Sequence, residues 1–105
     1  MGNGKFITLL ESANATAPGA AVAVNVRTPL NFMVTLAGTN TVTATTIFEG
    51  TNNPTVAASW SPIATATSSG VTTAVDVGVS LIPWPWVRAR ISAISATSAI
   101  ATMGV

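Results

Sequence analysis

A chain of 105 residues fits one domain, with room for a single core that buries about 60–70% of the unfolded surface. Only 7% of the residues are charged, against roughly 25% in an ordinary soluble protein, and the net charge is +1. The absence of His, Cys and Tyr removes the usual proton shuttle, the thiolate nucleophile, disulfide staples and most transition-metal ligand sets.

Seventeen Thr and nine Ser stand where Lys and Glu would be, so the exterior is expected to be hydroxyl and methyl rather than ionic. Near-zero net charge favours association over colloidal repulsion. This composition suits an assembly component, and it also suits a monomer kept polar by Thr. Thr, Ser, Asn and Gly interrupt every apolar stretch well before the ~18 residues of a bilayer span, so no membrane partner is expected. The opening "MGNGKFITLL" lacks the features of a secretory signal, and Phe6 stands where myristoylation wants Ser or Thr. The expected location is the cytoplasm until assembly.

In chain order, "KFITLL" is the first expected strand, within residues 1–19, a segment that can also be read as an extended arm on a single domain spanning 1–105. In "AVAVNVRT", Val22, Val24 and Val26 share one face, opposite Ala21, Ala23, Asn25 and Arg27. "NFMVTLA" puts Phe32, Val34 and Leu36 on one side. "TNTVTATTIFEG" sets Val42, Ala44, Thr46 and Phe48 against Thr41, Thr43, Thr45 and Ile47, and such β-branched runs suit a pleated surface. "SWSPIAT", "VTTAVDVGVS" with Val75, Val77 and Val79 in phase, "PWVRARISAI" and "TSAIATM" follow, the last open to a short-helix reading. Turn residues separate these runs at "APG", "TP", "GTN", "GTNNP", "SSG" and "IPWP". Turns about every ten residues with no sustained helical period predict an all-β fold, an antiparallel β-sandwich or jelly-roll-like barrel of seven or eight strands.

The carboxylates are Glu11, Glu49 and Asp76, and Lys5 is the one lysine. A Glu49–Asp76 pair for glycoside hydrolysis is conceivable, but charges on strands ordinarily face solvent. Ser and Thr nucleophiles need a base that this composition does not supply, so no catalytic residue, metal site or cofactor is expected. Neither "GNGK" nor "EGTNNP" has the spacing or context of a phosphate loop. Asn14-Ala15-Thr16 fits the short glycan-acceptor pattern, without a secretory signal to support it.

"WPWVRARIS", residues 84–92, concentrates two tryptophans and half of the basic side chains. Extended, it directs Val87, Ala89, Ile91 and Ala93 one way, toward a core. Trp86, Arg88, Arg90 and Ser92 point the other way. Pro83 and Pro85 bracket Trp84 and fix an extended entry. The outward face admits a structural role, a protein contact through Trp84, Trp86, Arg88 and Arg90, or a stacking platform for sugar or single-stranded nucleic acid. Nucleic acid is disfavoured, because affinity for it needs several phosphate contacts. Trp60, in "SWSPI", is expected to plug the core or its rim.

The order "FMVTLAGTNTVTATTIFEGTNNP", "SWSPI", "PWVRARISAIS" resembles small β-sandwich virion proteins of tailed bacteriophages over residues 32–94, about 60% of the chain. The shared pattern is an apolar strand ending in "EG" before an Asn-rich turn, a Trp on the return strand, and a late aromatic-V-R-A-R-[IV] strand. "TNNPT" departs from the commoner Asp-Gly turn and Trp86 from the commoner Tyr, which puts a tight two-residue hairpin in doubt. The resemblance implies a non-enzymatic virion protein. Small size and missing chemistry favour a capsid decoration (cement) protein on the outer surface of the head, with the major capsid protein or other virion subunits as partners and a homo-oligomeric state, dimer or trimer. A tail, head–tail or fibre component and a carbohydrate-binding module using Trp60, Trp84 and Trp86 are the alternatives.

Overall fold

A computed structural model describes residues 6–16, 18–24, 30–80 and 84–104. Lys5, Asn25, Val26, Arg27, the Thr28-Pro29 turn and Pro83 lie outside them. The strands are β1 (Phe6–Ala13), β2 (Val22–Ala23), β3 (Leu30–Thr51), β4 (Ser61–Ser80), β5 (Trp86–Ser95) and β6 (Ser98–Gly104). A single 3-10 turn, Ala57–Ser59, is the one helical element among the described residues. The C-terminal segment, open to a helix reading, is strand β6.

Six strands replace the expected seven or eight, because two of the expected turns do not break the chain direction. "GTN" lies inside β3, 22 residues long, and "SSG" lies inside β4, 20 residues long. All pairings are antiparallel, in the order β1-β6-β3-β5-β2, with β4 on the other edge of β3. The first half of β3 pairs with β6 and the second half with β5, while β4 follows β3 throughout. The N-terminal segment tracks β6 and β5 in the same manner. After β1 leaves β6, Pro18 bridges Arg90, the Gly19 amide donates to Ala89 O at 2.7 Å, and β2 pairs with Trp86 and Val87. Four long ribbons therefore lie side by side.

Each ribbon is irregular at the same transverse line. Between Ala37↔Thr73 and Thr41↔Val71, residues 38–40 of β3 oppose Thr72 alone. Between Ala37↔Ser98 and Thr43↔Ser95, residues 38–42 oppose 96–97, and Asn14 to Thr16 interrupt the N-terminal ribbon. Extra residues on one strand bend it and increase its twist. Asn40 and Thr72 take positive φ at this line, and a Cβ on Gly38 would come 2.8 Å from Val42 Cγ1, so the crease needs glycine there. The sheet folds along it, nearly closing as a barrel.

A straight 22-residue strand would run about 73 Å, and the longest dimension of the molecule is 39 Å. Folding brings the inward residues of both halves into one core. Leu30, Phe32, Val34 and Leu36 from the first half of β3 join Val42, Ala44 and Phe48 from the second, as their alternation predicts. From the neighbouring strands come Leu9, Leu10, Val24, Ala66, Ala74, Val87, Ala89, Ile91, Ala99, Ala101 and Met103. Ala93, expected beside Ile91, is exposed instead. The register shift between Thr45↔Ala93 and Thr46↔Ile91 makes Ser92 a bulge, which exchanges the faces beyond it and turns Ile94 toward the core. Val75, Val77 and Val79 are in phase as read, but on the solvent side.

Candidate functional site

The second half of the sheet positions the side chains singled out in "WPWVRARIS". Alternation along β5 buries Val87, Ala89 and Ile91 and leaves Trp86, Arg88 and Arg90 half-buried on the opposite face. Across the ladder, Glu49 of β3 is the register partner of Arg88, with Ile47 opposite Arg90 and Thr51 opposite Trp86. Directly opposed residues of opposite charge are the pairs that stabilise an antiparallel ladder.

Glu49 is 5% exposed, which corrects the expectation that it faces solvent. Its Oε1 accepts from Arg88 Nε at 2.9 Å and from Arg90 Nε at 3.3 Å. The Arg88 guanidinium also lies over the Trp60 ring, 4.3 Å from its centroid. A carboxylate this deep is stable only with charged partners, and two arginines around one oxygen supply them. Arg88 is thus held on one side by an ion pair and on another by an aromatic face. Its side chain is 21% exposed, and that of Arg90, which has the longer contact, 35%.

Trp60 reaches this position because the connection after β3 is long and internally fastened. Thr51 Oγ1 and Ser59 Oγ are 2.5 Å apart, the Asn53 amide donates to Thr51 Oγ1 at 3.1 Å, and Ser59 Oγ donates to Asn53 O at 2.8 Å. Asn53 Oδ1 accepts from the Thr55 amide and hydroxyl, an Asx arrangement that sets the turn. No tight two-residue hairpin forms at "TNNPT": residues 52–60 connect β3 to β4. The connection delivers Trp60 onto Arg88, where it is half-buried on the outer face and not among the side chains packed against the core, so the expected plug is instead the aromatic neighbour of a charged pair.

Trp84 stands apart from the other three contact candidates. It packs against the core and covers Gly50, where a Cβ would overlap its Cγ and Cδ2. Its Nε1 is buried without a hydrogen-bond partner among the described residues. The structure therefore brings Trp86, Arg88 and Arg90 together, adds Glu49 and Trp60, and assigns Trp84 to a plug. Sequence reasoning missed Glu49 as a partner. The available signal was a lone acid in an apolar strand and two arginines at i and i+2 elsewhere, but joining them requires knowing that β5 adjoins β3.

Glu49 and Asp76, the carboxylates considered for hydrolysis, are each engaged elsewhere. Glu49 serves the arginines, and Asp76 Oδ1 accepts the Val77 amide at 2.9 Å. No helix among the described residues is long and apolar enough to cross a membrane.

No protein-family model matches the chain, and no curated protein matches it. In structure the chain is similar to the SPBc2 prophage-derived protein YomS, with a TM-score of 0.59 over 95% of this chain and 90% of that one, at 9% identity. The two share a fold.

Proposed function

We propose that this chain is a non-enzymatic structural protein of a tailed-bacteriophage virion, a decoration protein that binds the outer surface of the assembled head. The observation that carries the reading is the fold, held in common with a prophage-derived protein over nearly the full length of both chains. The virion-protein resemblance across residues 32–94 supports it independently. Binding only the assembled lattice would stabilise the head by mass action.

The surface offered to the major capsid protein is the outer face of β5, where Trp86 and Arg90 flank the fastened Arg88. Trp and Arg are enriched among residues that dominate binding energy. Arg88 contributes by holding this surface rigid, since its guanidinium is already taken by Glu49 and Trp60. Rigid side chains lose little entropy on binding.

A tail or head–tail position is the second reading, because likeness to YomS names no location in a particle. A sugar platform fits the geometry poorly. One face of Trp60 is covered by Arg88, and Trp84 packs over Gly50 against the core. The test is immunogold labelling of purified virions of the phage that encodes the chain. Label over the head supports decoration, label on the tail supports the second reading, and a chain absent from virions that binds an oligosaccharide with a saturable Trp response overturns both.

A further inference from the structure

The cluster of Arg88, Arg90 and Glu49 is short of one negative charge. Two guanidinium groups meet one carboxylate, and both contacts fall on the same oxygen, Glu49 Oε1. The other acidic side chains of the chain sit in the first half of the sheet, Glu11 on β1 and Asp76 on β4 opposite Val34, and neither pairs with Arg88 or Arg90. The unmatched charge belongs to Arg90. Arg88 has the shorter contact and a second neighbour in the Trp60 ring. Arg90 reaches Glu49 through Nε alone, at 3.3 Å, and its two Nη groups have no partner among the described residues. Solvent balances this charge in the free chain, where the Arg90 side chain is 35% exposed.

A subunit lying over the outer face of β5 displaces that solvent. Covering a guanidinium group with no counter-charge to replace the water is strongly unfavourable, so an uncharged surface is a poor match and a basic one a worse match. We infer that the virion subunit contacted by this face presents an Asp or Glu carboxylate to Arg90, an inference that rests on the reading of the chain as a virion protein. Geometry agrees with charge. The Nε contact to Glu49 leaves the Nη edge of the guanidinium open, and a carboxylate accepts from two N–H groups of a guanidinium side by side. Two guanidinium groups and two carboxylates then balance. Trp86, half-buried on the same face of β5, supplies an apolar flank that helps keep water from the pair.

Phosphate carries the same sign of charge, and nucleic acid is the competing source. Affinity for nucleic acid needs several phosphate contacts. The whole chain has four basic side chains, and of the two in this cluster one is already paired to Glu49. A single spare guanidinium group fits a single carboxylate better than a charged strand.

The test is the binding kinetics of the labelled full chain on virions of the encoding phage assembled without it, for wild type, Arg90→Gln and Arg90→Lys, with thermal melts confirming each fold. The expected result is a dissociation rate at least about tenfold faster in Arg90→Gln with the association rate nearly unchanged, as loss of a desolvated charge pair gives. Arg90→Lys keeps the charge without the fork and should show a smaller rise; it carries the same readout should Arg90→Gln fail to fold. Unchanged dissociation in a folded Arg90→Gln overturns the inference and leaves the virion reading standing. A loss confined to the association rate does the same, because it reports long-range steering instead of a pair. Wild-type chain that binds no part of the virion overturns the virion reading and the inference with it. Retardation of DNA by wild type that Arg90→Gln abolishes assigns the site to phosphate and overturns the carboxylate.

Discussion

Phe32 and Phe48 belong to one strand, sixteen positions apart, and their rings stack with centroids 4.3 Å apart and planes inclined by 19°. Along a straight strand they would be separated by about 50 Å. The stack therefore reports the crease directly, since it exists only when the two halves of β3 fold onto each other. Both rings are buried. Phe48→Ala should lower unfolding free energy by ~3–5 kcal/mol, as large aromatic truncations do. Phe32→Leu and Phe48→Leu should be non-additive by ~0.5–1.5 kcal/mol in a double-mutant cycle followed by urea unfolding. Additive losses would mean that the rings do not meet in solution.

The crease itself is locally strained at Thr72, where a β-branched residue holds φ 65. Left-handed backbone is poor for such a side chain and nearly free for glycine. Thr72→Gly should raise stability by about 1 kcal/mol, less the entropy that glycine adds to the unfolded chain. Asn40→Gly, at φ 62, should change little because Asn tolerates this region better. Thermal melts of the two variants separate these outcomes.

Thr46 shows what strand alternation can and cannot decide. Its position in phase with Val42, Ala44 and Phe48 places it in the core, where its Oγ1 has no hydrogen-bond partner among the described residues. Thr46→Val removes a buried hydroxyl while keeping shape, so the variant should be as stable as the parent or more stable by up to ~1 kcal/mol. Denaturant midpoints at unchanged m-value are the measure. A clear loss would mean that the hydroxyl is bonded in solution.

Faces were legible in the sequence because they follow from period two, which needs only local spacing. Phe32, Val34, Leu36, Val42, Phe48, Val87 and Ile91 all fall where alternation puts them. Strand count was not legible, because "GTN" and "SSG" have turn composition yet lie in strands that continue past them, "GTN" as the bulge at the crease and "SSG" in regular register with Val42, Thr43 and Ala44. Ala93 was misplaced for a related reason, a single bulged residue that exchanges the faces. Half of the candidate site was readable from β5 alone. The other half, Glu49 and Trp60, arrives by register and loop closure, which are long-range properties of the folded sheet.

Gly50 and Trp84 are coupled by space. A Cβ at position 50 would overlap the indole, so Gly50→Ala forces Trp84 off its seat. The variant should lose ~1–3 kcal/mol as an overpacked site does, and its fluorescence should shift to the red as an indole enters water. Combining it with Trp84→Leu should recover part of the loss, because the smaller side chain leaves room for the methyl group. Equal losses in the presence and absence of Trp84 would place the strain elsewhere, in the β3 backbone.

The two arginines that share Glu49 should prove unequal. Arg88 has the shorter contact, 2.9 Å against 3.3 Å, the less exposed side chain, and the Trp60 face in addition. Removing Glu49 leaves both guanidinium groups near a desolvated position. Because the arginines keep some access to water, the loss in Glu49→Gln should be about 1–3 kcal/mol rather than the ~3–5 kcal/mol of a fully buried pair. In double-mutant cycles, Glu49/Arg88 coupling should exceed Glu49/Arg90 coupling, with the latter falling more steeply as salt is added, since the more exposed pair is the more screened. Arg88→Lys should recover little of the Arg88→Ala loss, because an ammonium group cannot both donate in the plane of the guanidinium and stack on Trp60. Equal couplings, or full recovery by lysine, would reduce the cluster to simple charge neutralisation and leave the stacked arrangement of Trp60, Arg88 and Glu49 without an energetic role.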